Sequence, residues 1–152
     1  TDPYPEETVL RLDMQDALSA TNQQLFIFEE TGAPVGNIAS DITFSSKDMI
    51  ETVGDIVLSR RDFPGSYHLS VVLDDAEQNI THVIRGEDLF EATKIHVVLQ
   101  RLLDLKTPIY HHHHLIRDDA GKRLAKRDDA RAIAKYRADG ASPADIRRMV
   151  GL

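Results

Sequence analysis

The sequence contains no cysteine, which excludes a disulfide framework and any thiolate zinc site built from this chain. It has no apolar run approaching the roughly 20 residues that cross a bilayer. Its first residues, "TDPYPEET", are acidic and carry two prolines, unlike the basic and apolar regions of a secretory signal. These absences predict a cytoplasmic protein without a membrane partner and without a zinc site. An initiator methionine is also missing, so the chain is expected to be a processed or truncated form. Positive charge is scarce too: 18 Lys and Arg against 25 Asp and Glu leave a net charge of −7. Any contact with nucleic acid must therefore come from a local basic patch, and the only dense one is "KRLAKR", Lys122 to Arg127.

What is present is ordinary for a folded chain: 152 residues, 41% apolar and 28% charged, enough for one domain or part of one. The first half reads as strands. "TVLRLDM" alternates, with Leu10, Leu12 and Met14 expected on the buried face; "QLFIFEE" (Gln24 to Glu30) is a second strand and "GDIVLSRRD" from Gly54 a third, after a polar connection through Ser45 to Glu51. The second half changes character. Ile80 to Ile84 is a short β-branched strand, and Ile95, Val98, Leu99, Leu102 and Leu103 then recur at helical spacing, with Thr93 as the expected N-cap. "IYHHHHLI" is the next extended run and closes at Asp118 to Gly121. Strand, helix and strand make a βαβ unit, which calls for parallel pairing. The tail from Asp128 is charged and helical, with Ser142 as N-cap and Pro143 at the first helical position. "GSYHLSVVLDD" (Gly65 to Asp75) fits a strand or a helix equally by pattern.

Four consecutive histidines, His111 to His114, raise the question of a metal. In a strand His111 and His113 share one side and His112 and His114 the other, so only i, i+2 pairs could chelate. Without a carboxylate or thiolate beside them, packed or solvent-facing strand histidines are the favoured reading and no metal is expected. The "DDAGKRLAKR" loop suits phosphate binding, since flexible backbone and Lys or Arg can both reach anionic oxygens, and it suits a solvated surface equally well. Arg85 ends an apolar strand just before Gly86. Ligands of parallel α/β sheets sit at the carboxyl ends of strands, which places this Arg to meet an anion; pairing with Glu87 or Asp88 is the alternative.

"YHLSVVLDD", "ITHVIRGEDL" and "PIYHHHHLIRDDAGKRLAKR" together, in this order and spacing, resemble the class I glutamyl-tRNA synthetase family. The resemblance is strong from about Gly54 to Arg127. It implies an α/β fold: a partial Rossmann-type catalytic domain over 54–127 with its signature loop, preceded over 1–53 by part of a β-rich inserted acceptor-like subdomain and followed over 128–152 by a helical tail. It also implies the helical alternative for Tyr67 to Asp75, and an activity, the ATP-dependent activation of glutamate to glutamyl-adenylate and its transfer to tRNA, with Mg²⁺ as counter-ion of the ATP.

Residue by residue, the resemblance gives Tyr67 and Arg85 to the substrate glutamate, His112 to the neighbourhood of the nucleotide, and Arg123 and Lys126 to the ATP phosphates, Lys126 as the catalytic residue. A planar guanidinium can grip a carboxylate with two hydrogen bonds and refuse the uncharged amide of glutamine. Val71 stands where glutamyl-tRNA synthetases carry Asn, and Leu89 where they often carry Trp. At both places the chain is similar to the short branch that glutamylates queuosine in tRNA(Asp). Arg123 replaces the first Lys of the signature loop and Ala125 its Ser. The family's N-terminal half, with its His-Ile-Gly-His-type signature, is missing from these residues, so the chain alone is expected to be inactive. A fragment of a full glutamyl-tRNA synthetase and a non-catalytic glutamate- or RNA-binding paralogue are the competing readings.

Overall fold

The computed structural model describes residues 8–117, 121 and 132–152. They divide into two compact units between His113 and His114. In the first unit, β1 (Leu10–Leu12), α1 (Met14–Thr21), β2 (Leu25–Glu30), β3 (Ser40–Ser45), α2 (Ser46–Thr52), β4 (Ile56–Ser59), α3 (Tyr67–Glu77), β5 (His82–Gly86), α4 (Phe90–Leu102) and β6 (Ile109–His113) follow one another. The second unit holds α5 (Ile133–Ala138) and α6 (Pro143–Met149).

A four-stranded mixed sheet in the order β3-β2-β6-β5 forms the frame. β2 and β3 pair antiparallel from Leu25↔Ser45 to Glu30↔Ser40, whereas β5 and β6 run parallel, with Val83 opposite Tyr110 and Arg85 opposite His112. The parallel strand-helix-strand unit expected from the sequence is therefore β5-α4-β6. β2 joins β6 in parallel at Glu30↔Tyr110. A boundary between residues 53 and 54 consequently runs through this unit, because strands from both sides of it hydrogen-bond in one sheet. β1 and β4 form a separate antiparallel pair.

The core is aromatic at its centre. β2 alternates exposed and buried residues, sending Phe26, Phe28 and Glu30 inward. Phe26 stacks on Phe44 at 5.3 Å, and Phe28 meets Phe90 at 6.0 Å and Tyr110 edge-on at 5.5 Å. Each such pair contributes about 0.5–1.5 kcal/mol beyond the burial of its apolar area.

Helix caps explain where pattern alone misleads. The alternation of Thr8 to Met14 predicts one strand, yet the Asp13 carboxylate accepts from Asp16 N at 3.0 Å and starts α1 there, so Met14 is buried as a helical residue and Leu10 lies exposed. The expected polar connection through Ser45 to Glu51 is a helix instead: Ser45 and Asp48 bond each other's backbone N–H in a capping box. Strand β3 alternates only through Ile42 and Phe44, a pattern too short to separate it from the polar stretch that follows. Tyr67 to Glu77 is helical, with Ser66 as N-cap accepting from Leu69 N. Thr93 is not an N-cap, for α4 begins three residues earlier and Thr93 lies inside it. Ser142 and Pro143 begin α6 as expected, with Asp145 completing a capping box. No helix among the described residues is long and apolar enough to cross a membrane.

Candidate functional site

Arg85, near the carboxyl end of β5, is the hub of a polar cluster under the sheet's aromatic core. Its Nε donates to His112 Nε2 at 3.1 Å, its Nη1 to His96 Nδ1 at 3.1 Å, and its Nη2 to the Leu89 carbonyl at 3.4 Å and to the Thr93 hydroxyl. The guanidinium also lies over the Tyr110 ring, 5.3 Å from its centroid, where a cation is attracted to the π face. Thr93 in turn donates to the Leu89 carbonyl at 3.2 Å. The contact to Leu89 is the loosest of these.

Two histidines flank the guanidinium from different elements. His112, on β6, is fully buried and donates from Nδ1 to Glu30 Oε2 at 2.5 Å, leaving Nε2 to accept from Arg85. Glu30 Oε1 accepts from His112 N at 2.9 Å and Gly32 N at 2.7 Å. Burial alone would raise the Glu30 pKa, yet these N–H bonds from the His112 backbone and ring and from Gly32 outweigh it and hold the carboxyl below its usual range. Burial also lowers the His112 pKa, against the pull of Glu30 and helped by Arg85, so its ring is neutral. A buried carboxylate and a half-buried guanidinium are thus joined through one neutral imidazole.

His96, on α4, is 2% exposed and completes the other flank. Since its Nδ1 accepts from Arg85, its Nε2–H donates to His68 Nδ1, 3.0 Å away on α3. Burial first, then Arg85 and the neighbouring His68 and His112, lowers the His96 pKa to about 3. His68 is also lowered, by burial and by Arg85. Tyr67 closes the cluster: the residue is 54% exposed, and its ring sits 5.5 Å from that of His68 and 5.9 Å from that of His96.

The structure therefore brings three of the expected residues, Tyr67, Arg85 and His112, around His96. Arg123 and Lys126 lie outside the described residues. The alternation expected for the histidine run holds inside β6, where His112 is buried and His113 exposed, while His111 bonds Thr31 Oγ1 at 3.0 Å. Among the described residues no group of three or more His, Cys, Asp or Glu could hold a metal ion. Sequence reasoning missed His96, His68 and Glu30. A signal for His96 existed: Thr93, His96 and Gln100 recur at i, i+3 and i+7, a polar line on the buried side of an apolar helix. Tyr67 and His68 also border an open cleft of about 590 Å³ lined by Arg11, Arg60 and Arg61. Among the described residues neither Arg11 nor Arg61 has a carboxylate partner, whereas Arg60 is tied to Asp62 at 3.0 Å.

An α/β unit that presents an arginine at the end of a parallel strand, between a strand histidine and a helix histidine, fits an anion-binding domain. Residues 29–152 match the family model described as tRNA synthetases class I (E and Q), catalytic domain, and the chain belongs to that family. It is 64% identical to the Glutamyl-Q tRNA(Asp) synthetase of Rhodobacter capsulatus over 146 residues, 96% of this chain and 50% of that protein. With the Glutamyl-Q tRNA(Asp) synthetase of Geobacter sulfurreducens it shares 43% identity over 90 residues, 59% of this chain and 29% of the relative. The chain thus spans half or less of the length of these relatives. Among solved structures it is similar to a glutamate tRNA ligase from Elizabethkingia meningosepticum in complex with its amino acid, with a TM-score of 0.54 and 29% identity over 69% of this chain and 19% of that one. The glutamate-tRNA synthetase of Elizabethkingia anophelis gives a TM-score of 0.53 and 25% identity over 79% of this chain and 23% of that one.

Proposed function

We propose that the chain is part of a glutamyl-tRNA synthetase-type ligase that activates glutamate with ATP and transfers it to queuosine of tRNA(Asp). The observation that carries this reading is the Arg85 guanidinium, fixed between two neutral imidazoles, one of which, His96, also meets the ring of the exposed Tyr67. Arg85 pairs with a substrate carboxylate, and Tyr67 covers the amino acid. In this reading the α-carboxylate of glutamate attacks the α-phosphorus of ATP and expels pyrophosphate. A hydroxyl of the RNA then attacks the activated carbonyl and expels AMP. Lys126, with Arg123, neutralises charge growing on the phosphates, His112 lies towards the nucleotide, and Mg²⁺ enters as the counter-ion of ATP. β5, α4 and β6 are then the carboxyl-terminal half of a Rossmann-type domain, and an inserted acceptor-like subdomain over 1–53 would share strands β2 and β3 with its sheet. Val71 and Leu89 favour the queuosine branch, and the arginine cleft beside Tyr67 supports an anionic partner.

A second reading, part of a glutamate-tRNA ligase that charges tRNA(Glu), is favoured by the likeness to the two Elizabethkingia structures. A chimera separates the two: this chain replaces the matching half of the Rhodobacter relative, and transfer of radiolabelled glutamate is measured. Charging of queuosine-containing tRNA(Asp) and not of tRNA(Glu) is expected. Charging of tRNA(Glu) would favour the second reading, and transfer to neither RNA, with the chimera folded, would contradict both.

A further inference from the structure

Among the described residues Arg85 makes no ion pair with a carboxylate within 4 Å, though its charge reaches Asp75. Its two lateral contacts are ring nitrogens, one from a helix and one from a strand, and both rings are braced on their far side. His112 is braced by Glu30, and His96 by His68, whose Nδ1 takes the His96 Nε2–H at 3.0 Å. With both nitrogens of His96 engaged, the ring can neither flip nor turn an N–H towards the guanidinium without breaking two bonds. We infer that His96 is a positioning residue for Arg85, setting the plane in which the guanidinium meets the substrate carboxylate. The inference rests on the reading of Arg85 as the carboxylate ligand.

Three features point to positioning and not merely to a filled space. His96 is 2% exposed in a helix whose neighbours Val97, Val98 and Leu99 are apolar, and there an apolar side chain would fill the volume without the cost of burying two polar nitrogens. Those nitrogens are spent on Arg85 and His68, so the ring links α4 to β5 and α3. A neutral acceptor fixes the guanidinium without neutralising it, as an Asp or Glu in the same place would, and so leaves its charge to act on a ligand. The neutrality is built in, for burial and the adjacent Arg85 keep the ring deprotonated at any physiological pH. The two flanking rings are consequently held in opposite tautomers, His96 as Nε2–H and His112 as Nδ1–H.

The test combines long-range ¹H–¹⁵N spectra of the chain with glutamate titration of the parent, His96→Gln and His96→Leu. At pH 7 the spectra should show His96 as Nε2–H and His112 as Nδ1–H. The Arg85 side-chain N–H signals should be resolved in the parent and in His96→Gln, whose amide oxygen still accepts from Nη1, and averaged by free rotation in His96→Leu. Glutamate affinity should fall about ten-fold in His96→Leu and return to within about three-fold of the parent in His96→Gln. The same tautomer for both rings, or equal Arg85 signals in all three proteins, would overturn the positioning role. So would a His96→Gln variant no better than His96→Leu. Absence of glutamate binding to the folded parent would instead count against the carboxylate reading of Arg85, and the spectra would still decide the role of His96.

Discussion

The Glu30 carboxylate takes both the backbone N–H and the ring Nδ1–H of His112, a residue 82 positions further along the chain, at 2.9 and 2.5 Å. Both side chains are fully buried. This contact orders the junction between β2 and β6 and fixes which nitrogen His112 turns to Arg85, so fold and site share one pair of residues.

Replacing Glu30 tests that sharing. Glu30→Ala leaves the N–H groups of Gly32 and His112 without an acceptor in a dry site, and should cost about 3–5 kcal/mol in urea unfolding. Glu30→Gln keeps an oxygen for the backbone N–H groups but no longer requires His112 to hold its proton on Nδ1. The expected result is a loss of about 1–3 kcal/mol with a changed His112 tautomer. Glu30→Ala as stable as the parent would show that the pair does not hold β2 to β6.

Acid should destabilise the first unit early. The pKa values of His68, His96 and His112 are all lowered in the folded chain, His96 to about 3. The unfolded chain therefore binds more protons than the native one below about pH 6.5, and stability rises with pH there. The stabilisation is complete above the unfolded histidine pKa and is lost as pH falls towards the folded values. Each histidine contributes a slope of up to about 1.4 kcal/mol per pH unit. Glu30, lowered in the native state, adds loss in the same direction as pH falls through its own range. Urea midpoints at pH 7.5, 6, 5 and 4.5 should drop steadily, and the slope should shrink in His96→Gln. Midpoints flat between pH 7 and 5 would contradict the neutral, buried imidazoles.

Gly32 should tolerate no side chain. A Cβ there would fall on the backbone carbonyl oxygen of His112 and come within 2.8 Å of Glu30 Oε1. Its backbone is extended, so the constraint is close approach and not left-handed conformation. Gly32→Ala should cost roughly 2–3 kcal/mol and disturb the His112 signals, whereas Gly36→Ala, where nothing lies within 4 Å but φ is +69°, should cost about 1 kcal/mol from the backbone alone. Unchanged stability and spectra in Gly32→Ala would show that the β2–β6 junction is looser than its geometry implies.

Much of this architecture is legible in the sequence where local and tertiary preferences agree. β2, β4 and the β5-α4-β6 unit follow from apolar runs and helical spacing, and the Ser142-Pro143 start of α6 from capping chemistry. The misses share a cause. α1 and α2 begin at Asp13 and Ser45, where a side chain bonds its own backbone, and hydrophobic period carries no record of such bonds. Nor was the pairing of β2 with β6 legible, since it joins residues some 80 positions apart, which no local pattern encodes. At the site, the family resemblance singled out Tyr67, Arg85 and His112, and Arg85 also stood out at its strand end; the structure brings all three around His96. His96 escaped because a single histidine in an apolar helix reads as packing, and Glu30 because the second of two adjacent glutamates at a strand end reads as solvated until the partner strand is known.

Titration of glutamate into the chain, with Arg85→Ala and with glutamine as the competing ligand, tests the central claim most directly. Glutamate should bind and glutamine should not, and Arg85→Ala should lose roughly 2–5 kcal/mol of binding free energy, the cost of leaving a carboxylate unpaired in the site. An isotherm unchanged by Arg85→Ala would remove Arg85 from the substrate site and contradict the proposed function.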